Sequence, residues 1–188
     1  MSLTYDAVFP TIIGKCERQD LLTNVQEILD SIDKDEYFEY SNGQTFDILP
    51  TLLKKEFEKE FINFLKVVLK INCDVQLTTS WFTHKSAGRH SHVNSWWSAV
   101  YYLVEDSEIE FTTKATAIHV DPVEYNFLNS LDVTYRPNVG DMLIFPSGIT
   151  HTALDYKGSG ERHSLAMNFM PKGQVGFLDS SFTYKSIL

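Results

Sequence analysis

The 188 residues predict an α+β domain, mainly β, with helices at the N-terminal end. Two observations carry this reading. Up to Leu69, apolar residues recur at helical spacing. From Val75 onward, β-branched and aromatic residues come in short runs separated by turn residues. Several short strands after two helices make an antiparallel sandwich or barrel with a helical layer against it. The aromatic surplus, thirteen Phe, nine Tyr and three Trp, supplies a core for one domain of this length. Residues 1–72 are expected to form a helical part that packs on a β core spanning 73–188.

The elements follow in order. Asp20 is placed to cap a first helix whose apolar positions are Leu21, Leu22, Val25, Ile28, Leu29 and Ile32. A turn-rich stretch around Ser41-Asn42-Gly43 ends this segment. Thr51 is placed to cap a second helix with Leu52, Leu53, Phe57, Phe61, Phe64, Leu65, Val68 and Leu69 on its apolar face. The charges Lys54, Lys55, Glu56, Glu58, Lys59 and Glu60 fall mostly off that face and read as solvated. Strand-like runs are Val75–Thr83, Ser98–Val104, Glu108–Thr113, Thr116–Val120, Met142–Phe145, Thr150–Tyr156 and His163–Met170. Gly140-Asp141 and Lys157-Gly158-Ser159-Gly160 are turns.

Charge and cysteine content exclude some functions. With 16 Lys+Arg against 25 Asp+Glu, the net charge is −9. This argues against a nonspecific nucleic-acid binder, which needs a dominant basic face. Cys16 and Cys73 cannot make a disulfide framework, so a reducing cytoplasm is the expected compartment. No signal peptide is visible in the opening residues, and no apolar stretch is long enough to span a membrane. Long apolar helix faces could support a homodimer or cover the barrel.

Chemistry concentrates after residue 80. His90 and His92 are two residues apart just ahead of a strand, so on extended chain both imidazoles aim to one side. His151 follows the turn, buried strand and second turn of Gly140–Ser147, which presents it at a strand start. Three such ligands on one side of a β scaffold, with the rest open, is the facial arrangement that a catalytic iron needs. Imidazole suits Fe(II), Zn(II) and Cu(II) alike. Arg162 is one of only four arginines. It starts the strand that follows, where its guanidinium could clamp a carboxylate bidentately. Ser164, two residues on, shares its face and could add a hydroxyl donor.

The blocks HSHVNSWWSAVYYL, GDMLIFPSGITH and RHSLAMNF together resemble the 2-oxoglutarate- and Fe(II)-dependent oxygenases. More narrowly, they resemble a family of such proteins from phage and marine bacterial genomes, over about residues 75–170. Ala7-Val8-Phe9-Pro10-Thr11 also looks like that family's start. The resemblance implies a double-stranded β-helix, or jelly-roll, core. It implies His90, His92 and His151 as iron ligands. It implies Arg162 on the distal carboxylate of 2-oxoglutarate, helped by Ser164 and by the hydroxyl of Tyr102 or Tyr101. Alternation lets only one of those tyrosines face inward. The implied reaction couples conversion of 2-oxoglutarate and O2 to succinate and CO2 with hydroxylation of the substrate, in the cytoplasm (a host's cytoplasm if phage-encoded).

The sequence departs from that pattern at several places. Many relatives carry Asp or Glu where His92 stands, so His92 either ligates iron directly or holds a water on it. Val93 replaces a proline, Ala99 a glycine and Gly148 an aromatic residue, changes of loop shape and pocket size. Among the remaining candidates, His84 and His119 read as satisfied polar residues and His163 as facing out. Asp141 reads as a turn residue, and Asn94 as a ligand-orienting residue or a turn cap. Trp81 is expected in the core, and one of Trp96 and Trp97 at the rim of the entrance. Arg89 and Lys85 are expected at the solvated surface. The competing function is a cupin-like jelly-roll holding Zn or another metal without 2-oxoglutarate turnover. A binding module on a degenerate scaffold fits the intact histidines and Arg162 less well. The substrate is expected to be a small molecule or a protein side chain.

Overall fold

The computed structural model describes residues 10–40, 47–112, 122–126, 129–175, 179 and 181–184. Strand β1 (Gly14–Glu17) leads through a 3-10 turn (Gln19–Leu21) into α1 (Leu22–Ser31), α2 (Lys34–Tyr40) and α3 (Thr51–Val67). Then come β2 (Val75–Thr83), β3 (Ala87–His90), β4 (Trp97–Tyr102), β5 (Ile109–Thr112), β6 (Asp132–Tyr135), β7 (Asp141–Pro146), β8 (Thr150–Ala153) and β9 (Ser164–Pro171). A hairpin of β10 (Gly173–Val175) and β11 (Phe182–Tyr184) ends the described chain.

Two antiparallel sheets carry the domain. The larger has the order β1-β7-β4-β9-β2 and the smaller the order β3-β8-β5-β6. Because side chains alternate along a strand, each row of paired residues faces one way. On the larger sheet, Trp97, Ala99 and Tyr101 of β4 share a face with Met142, Ile144, Leu165, Met167 and Phe169. This face packs with Leu53, Phe57, Phe61 and Leu65 of α3 and with Val25 and Leu29 of α1 in the main core. The opposite face of that sheet, including Tyr102, Leu143 and Phe145, meets Ile109 and Phe111 of the smaller sheet.

Several expectations change. Asp20 does not cap α1; its carboxylate accepts two hydrogen bonds from Arg18, at 2.8 and 2.9 Å. Thr51 is the first residue of α3 after Pro50 and makes no side-chain cap. Leu52 and Val68 lie off the apolar face, 80% and 53% exposed. The charge run is only partly solvated. Glu56 and Glu60 pair with Arg18, and the Glu58 carboxylate accepts the Leu77 N–H at 2.8 Å. An additional helix, α2, precedes α3, and the N-terminal part also contributes β1 to the larger sheet. The expected turn at Ser41-Asn42-Gly43, the run Thr116–Val120 and His119 lie outside the described residues, as does Ala7-Val8-Phe9. Among the described residues, no helix is long and apolar enough to cross a membrane.

Candidate metal and cosubstrate site

Strand pairing assembles the histidines. His90 ends β3 directly opposite His151 of β8, and both rings line one cavity, His151 buried and His90 exposed. His92 lies two residues past His90, just ahead of the turn before β4. Its backbone N–H donates to the Ser147 carbonyl at 2.8 Å, which draws the turn toward the β7–β8 connection. One nitrogen from each of the three imidazoles lies within 4.8 Å of the others, close enough to share one ion with small ring movements. Ring centroids are 4.3 Å apart for His90–His151 and 5.2 Å for the two pairs with His92.

Protonation and tautomer favour a metal. The Nδ1 atoms of His90 and His151 meet the carbonyls of Gly88 (2.7 Å) and Ile149 (3.1 Å). An N–H donated there leaves Nε2 with a free lone pair for an ion. Burial pushes His92 and His151 down to about 4, with the neighbouring imidazoles adding to the effect. Both are therefore neutral at pH 7.

The same cavity, about 330 Å³, runs from these histidines to Arg162. Arg162 is 3% exposed; its Nη1 donates to the Lys85 carbonyl at 3.0 Å, while its Nε is buried without a partner. Burial lowers its pKa, yet a guanidinium stays charged in a protein. Among the described residues, no carboxylate pairs with it. Ser164 and Thr83, adjacent across β9 and β2, share a hydrogen bond of 2.7 Å on the cavity wall. Tyr102 stands opposite Ser164 on β4, fully buried, with its hydroxyl unpartnered. Burial raises its pKa, and the Arg162 charge opposes that shift. Tyr101, on the other face, packs on Phe57 and donates its hydroxyl to the Arg18 carbonyl at 2.9 Å, away from the cavity.

Other side chains depart from expectation. Trp81 is buried as expected, but on the cavity wall with its ring 5.7 Å from His92 rather than in the main core. Neither Trp96 nor Trp97 rims this cavity; both pack around Phe61 of α3. His163 is covered rather than facing out, because α2 lays Phe38 against it at 5.8 Å. Phe38 also stacks on His84, at 3.9 Å. Asn94 is exposed in the turn, and Arg89 pairs with Glu110 at 3.6 Å on the outer face. Asp141 accepts the Asn138 N–H and the Lys15 ammonium, as a turn residue would. A larger apolar cavity of about 560 Å³ lies past Phe111, but no His, Cys, Asp or Glu lines it. The smaller cavity holds the chemistry. Sequence spacing alone missed Thr83, Trp81 and Asn168 on its wall; the β2–β9 pairing brings them there.

Residues 78–168 match the family model described as "Putative 2OG-Fe(II) oxygenase". That match spans just under half of the chain and includes all three histidines of the cluster. Structures with iron and with 2-oxoglutarate bound occur among the similar folds. HygX from Streptomyces hygroscopicus, solved with nickel and 2-oxoglutarate, has a TM-score of 0.56 at 10% identity, covering 86% of this chain and 82% of its own. A prolyl-4-hydroxylase from Pseudomonas putida has a TM-score of 0.53 at 16% identity, over 85% and 88%. The viral collagen prolyl hydroxylase of Paramecium Bursaria Chlorella virus-1 has 0.51 at 13%, over 90% and 98%. At these identities the likeness is one of fold. No curated protein matches the chain in sequence. The residues present fit the cofactors of 2OG-Fe(II) oxygenases. Three imidazoles suit Fe(II), and the unpartnered Arg162 Nε and Tyr102 hydroxyl suit an anionic oxygen ligand.

Proposed function

We propose that this chain is an Fe(II)- and 2-oxoglutarate-dependent dioxygenase that hydroxylates an unactivated C–H bond of a small molecule or a protein side chain. We read its two sheets as a double-stranded β-helix, nearest to the phage and marine-bacterial group, working in the cytoplasm. The carrying observation is Arg162: a buried guanidinium with no carboxylate partner among the described residues, in one cavity with three convergent imidazoles. A buried charge left alone costs several kcal/mol, so this site is built for an anion. Iron with 2-oxoglutarate and O2 supplies oxidative decarboxylation to succinate and CO2, coupled to insertion of one oxygen atom into the substrate C–H bond.

The chain's own residues bind and orient. His90, His92 and His151 would hold the metal at one end of the cavity. Arg162, Ser164 and the Tyr102 hydroxyl would receive the distal carboxylate at the other. Trp81, Val100, Ile109 and Ala166 line the space between and keep water from it. Three neutral ligands leave the ion at +2, and a dianionic cosubstrate neutralises it.

One observation favours a second reading. Among the described residues, the cluster contains no carboxylate, and three histidines also make an open zinc site. Under that reading Arg162 stays uncompensated. An anaerobic titration separates the two. Fe(II) followed by 2-oxoglutarate should give a visible charge-transfer band, and O2 should then release succinate. A chain that binds zinc but gives neither band nor succinate is the cupin-like protein instead.

A further inference from the structure

Two of the three imidazoles are oriented by carbonyls two residues before them: His90 by Gly88 and His151 by Ile149. Among the described residues, no such bond holds the His92 ring. Its place depends on the backbone N–H that it gives to the Ser147 carbonyl at 2.8 Å. Ser147 in turn gives its own N–H to the Trp96 carbonyl at 3.2 Å, closing the turn that follows His92 onto the connection that precedes His151.

Ser147 is itself anchored. Its Oγ lies 2.8 Å from Ser98 Oγ, and Ser98 Oγ donates to Asn168 Oδ1 at 2.7 Å. Since Ser98 spends its one proton on Asn168, Ser147 is the donor to Ser98. The serines are 0% and 2% exposed, and Asn168 sits beside Ser98 in the β4–β9 pair. A buried chain with one allowed direction of donation has little freedom to shift.

Resting on the metal-site reading above, we infer that the Ser147–Ser98–Asn168 hydrogen-bond chain positions His92 as a metal ligand, fixing the segment that carries His92 to the connection that leads into His151 through the larger sheet. These are positioning residues. Groups that orient metal ligands typically change affinity about 10- to 100-fold when removed.

The test is Co(II) affinity by calorimetry and by the visible ligand-field spectrum, on the full chain without cosubstrate. Ser98→Ala should weaken Co(II) binding about tenfold and alter the spectrum, with Ser147→Ala in the same direction. Thr79→Ala, a buried hydroxyl in the same row without a partner, should leave both unchanged. The decisive arm is a double-mutant cycle. In a His92→Ala background, Ser98→Ala should cost no further affinity, because the ligand it positions is gone. An equal loss in both backgrounds, or wild-type affinity in Ser98→Ala, overturns the inference. A Ser147→Ala chain that does not fold leaves Ser98→Ala and its cycle to decide. Failure of the wild-type chain to take up Co(II) overturns the metal site itself and the inference with it.

Discussion

Replacing Tyr102 with Phe should raise the stability of the ligand-free protein and weaken its hold on 2-oxoglutarate. Tyr102 is 0% exposed and its hydroxyl has no partner. A buried unsatisfied polar group costs about 1–3 kcal/mol, offset in part by the small void that its removal leaves. A net gain of about 1 kcal/mol is expected, which is about 2–4 °C in Tm for a chain of this size. With 2-oxoglutarate present, the same hydroxyl would donate to a carboxylate. A hydrogen bond to a charged group contributes about 1.5–3 kcal/mol, so its loss should weaken binding about 10- to 100-fold. Thermal unfolding without ligand, and calorimetric 2-oxoglutarate binding to the Ni(II)-loaded protein, read the two effects separately. A variant that melts lower than wild type and binds 2-oxoglutarate equally well refutes the reasoning.

Further outcomes follow from the same site and core. His151→Ala should abolish detectable metal uptake, whereas Arg162→Met should retain Co(II) binding and lose about 30-fold or more in 2-oxoglutarate affinity; equal 2-oxoglutarate affinity in Arg162→Met argues against the anion role. His92 and His151 are held near 4 in the fold, below the usual histidine value of about 6.5. Between those values the unfolded chain binds more protons, so stability of the metal-free protein should be full above about pH 6.5 and fall as pH drops toward 4. Urea midpoints across that range check the sign, and the slope should shrink in His92→Ala. Phe57, fully buried against Tyr101, should cost about 3–5 kcal/mol on truncation to Ala, measured by urea unfolding; a loss under about 1 kcal/mol would mean that α3 is not part of the cooperative unit.

Strands with strong apolar patterning were legible in the sequence and weakly patterned edge strands were not. Val75–Thr83 has the same bounds in both although it too ends a sheet, because its β-branched and aromatic residues are largely buried. The unread β1, β3 and β6 all lie at sheet edges. Gly-Lys-Cys-Glu, Ala-Gly-Arg-His and Asp-Val-Thr-Tyr carry little apolar patterning, and their partners supply the order. Similarly, α2 is largely polar and owes its place to long-range contacts. The Tyr37 hydroxyl accepts the Phe82 N–H at 3.0 Å, and Phe38 stacks on His84. At the site, the i, i+2 spacing of the histidines could be read directly. The choice of Tyr102 over Tyr101 required the phase of β4, which one strand cannot reveal. The Ser147–Ser98–Asn168 chain required the register of three strands.

Strand β1 has a consequence for dissecting the protein. It pairs with β7 along Gly14–Glu17, and β7 leads into Ser147 and His151. A fragment beginning near residue 73 would keep every proposed ligand. It would also leave the backbone of β7 bare along one side and the apolar outer face of the larger sheet uncovered. Such an edge recruits other chains. That fragment should therefore be insoluble or form adventitious strand-paired assemblies.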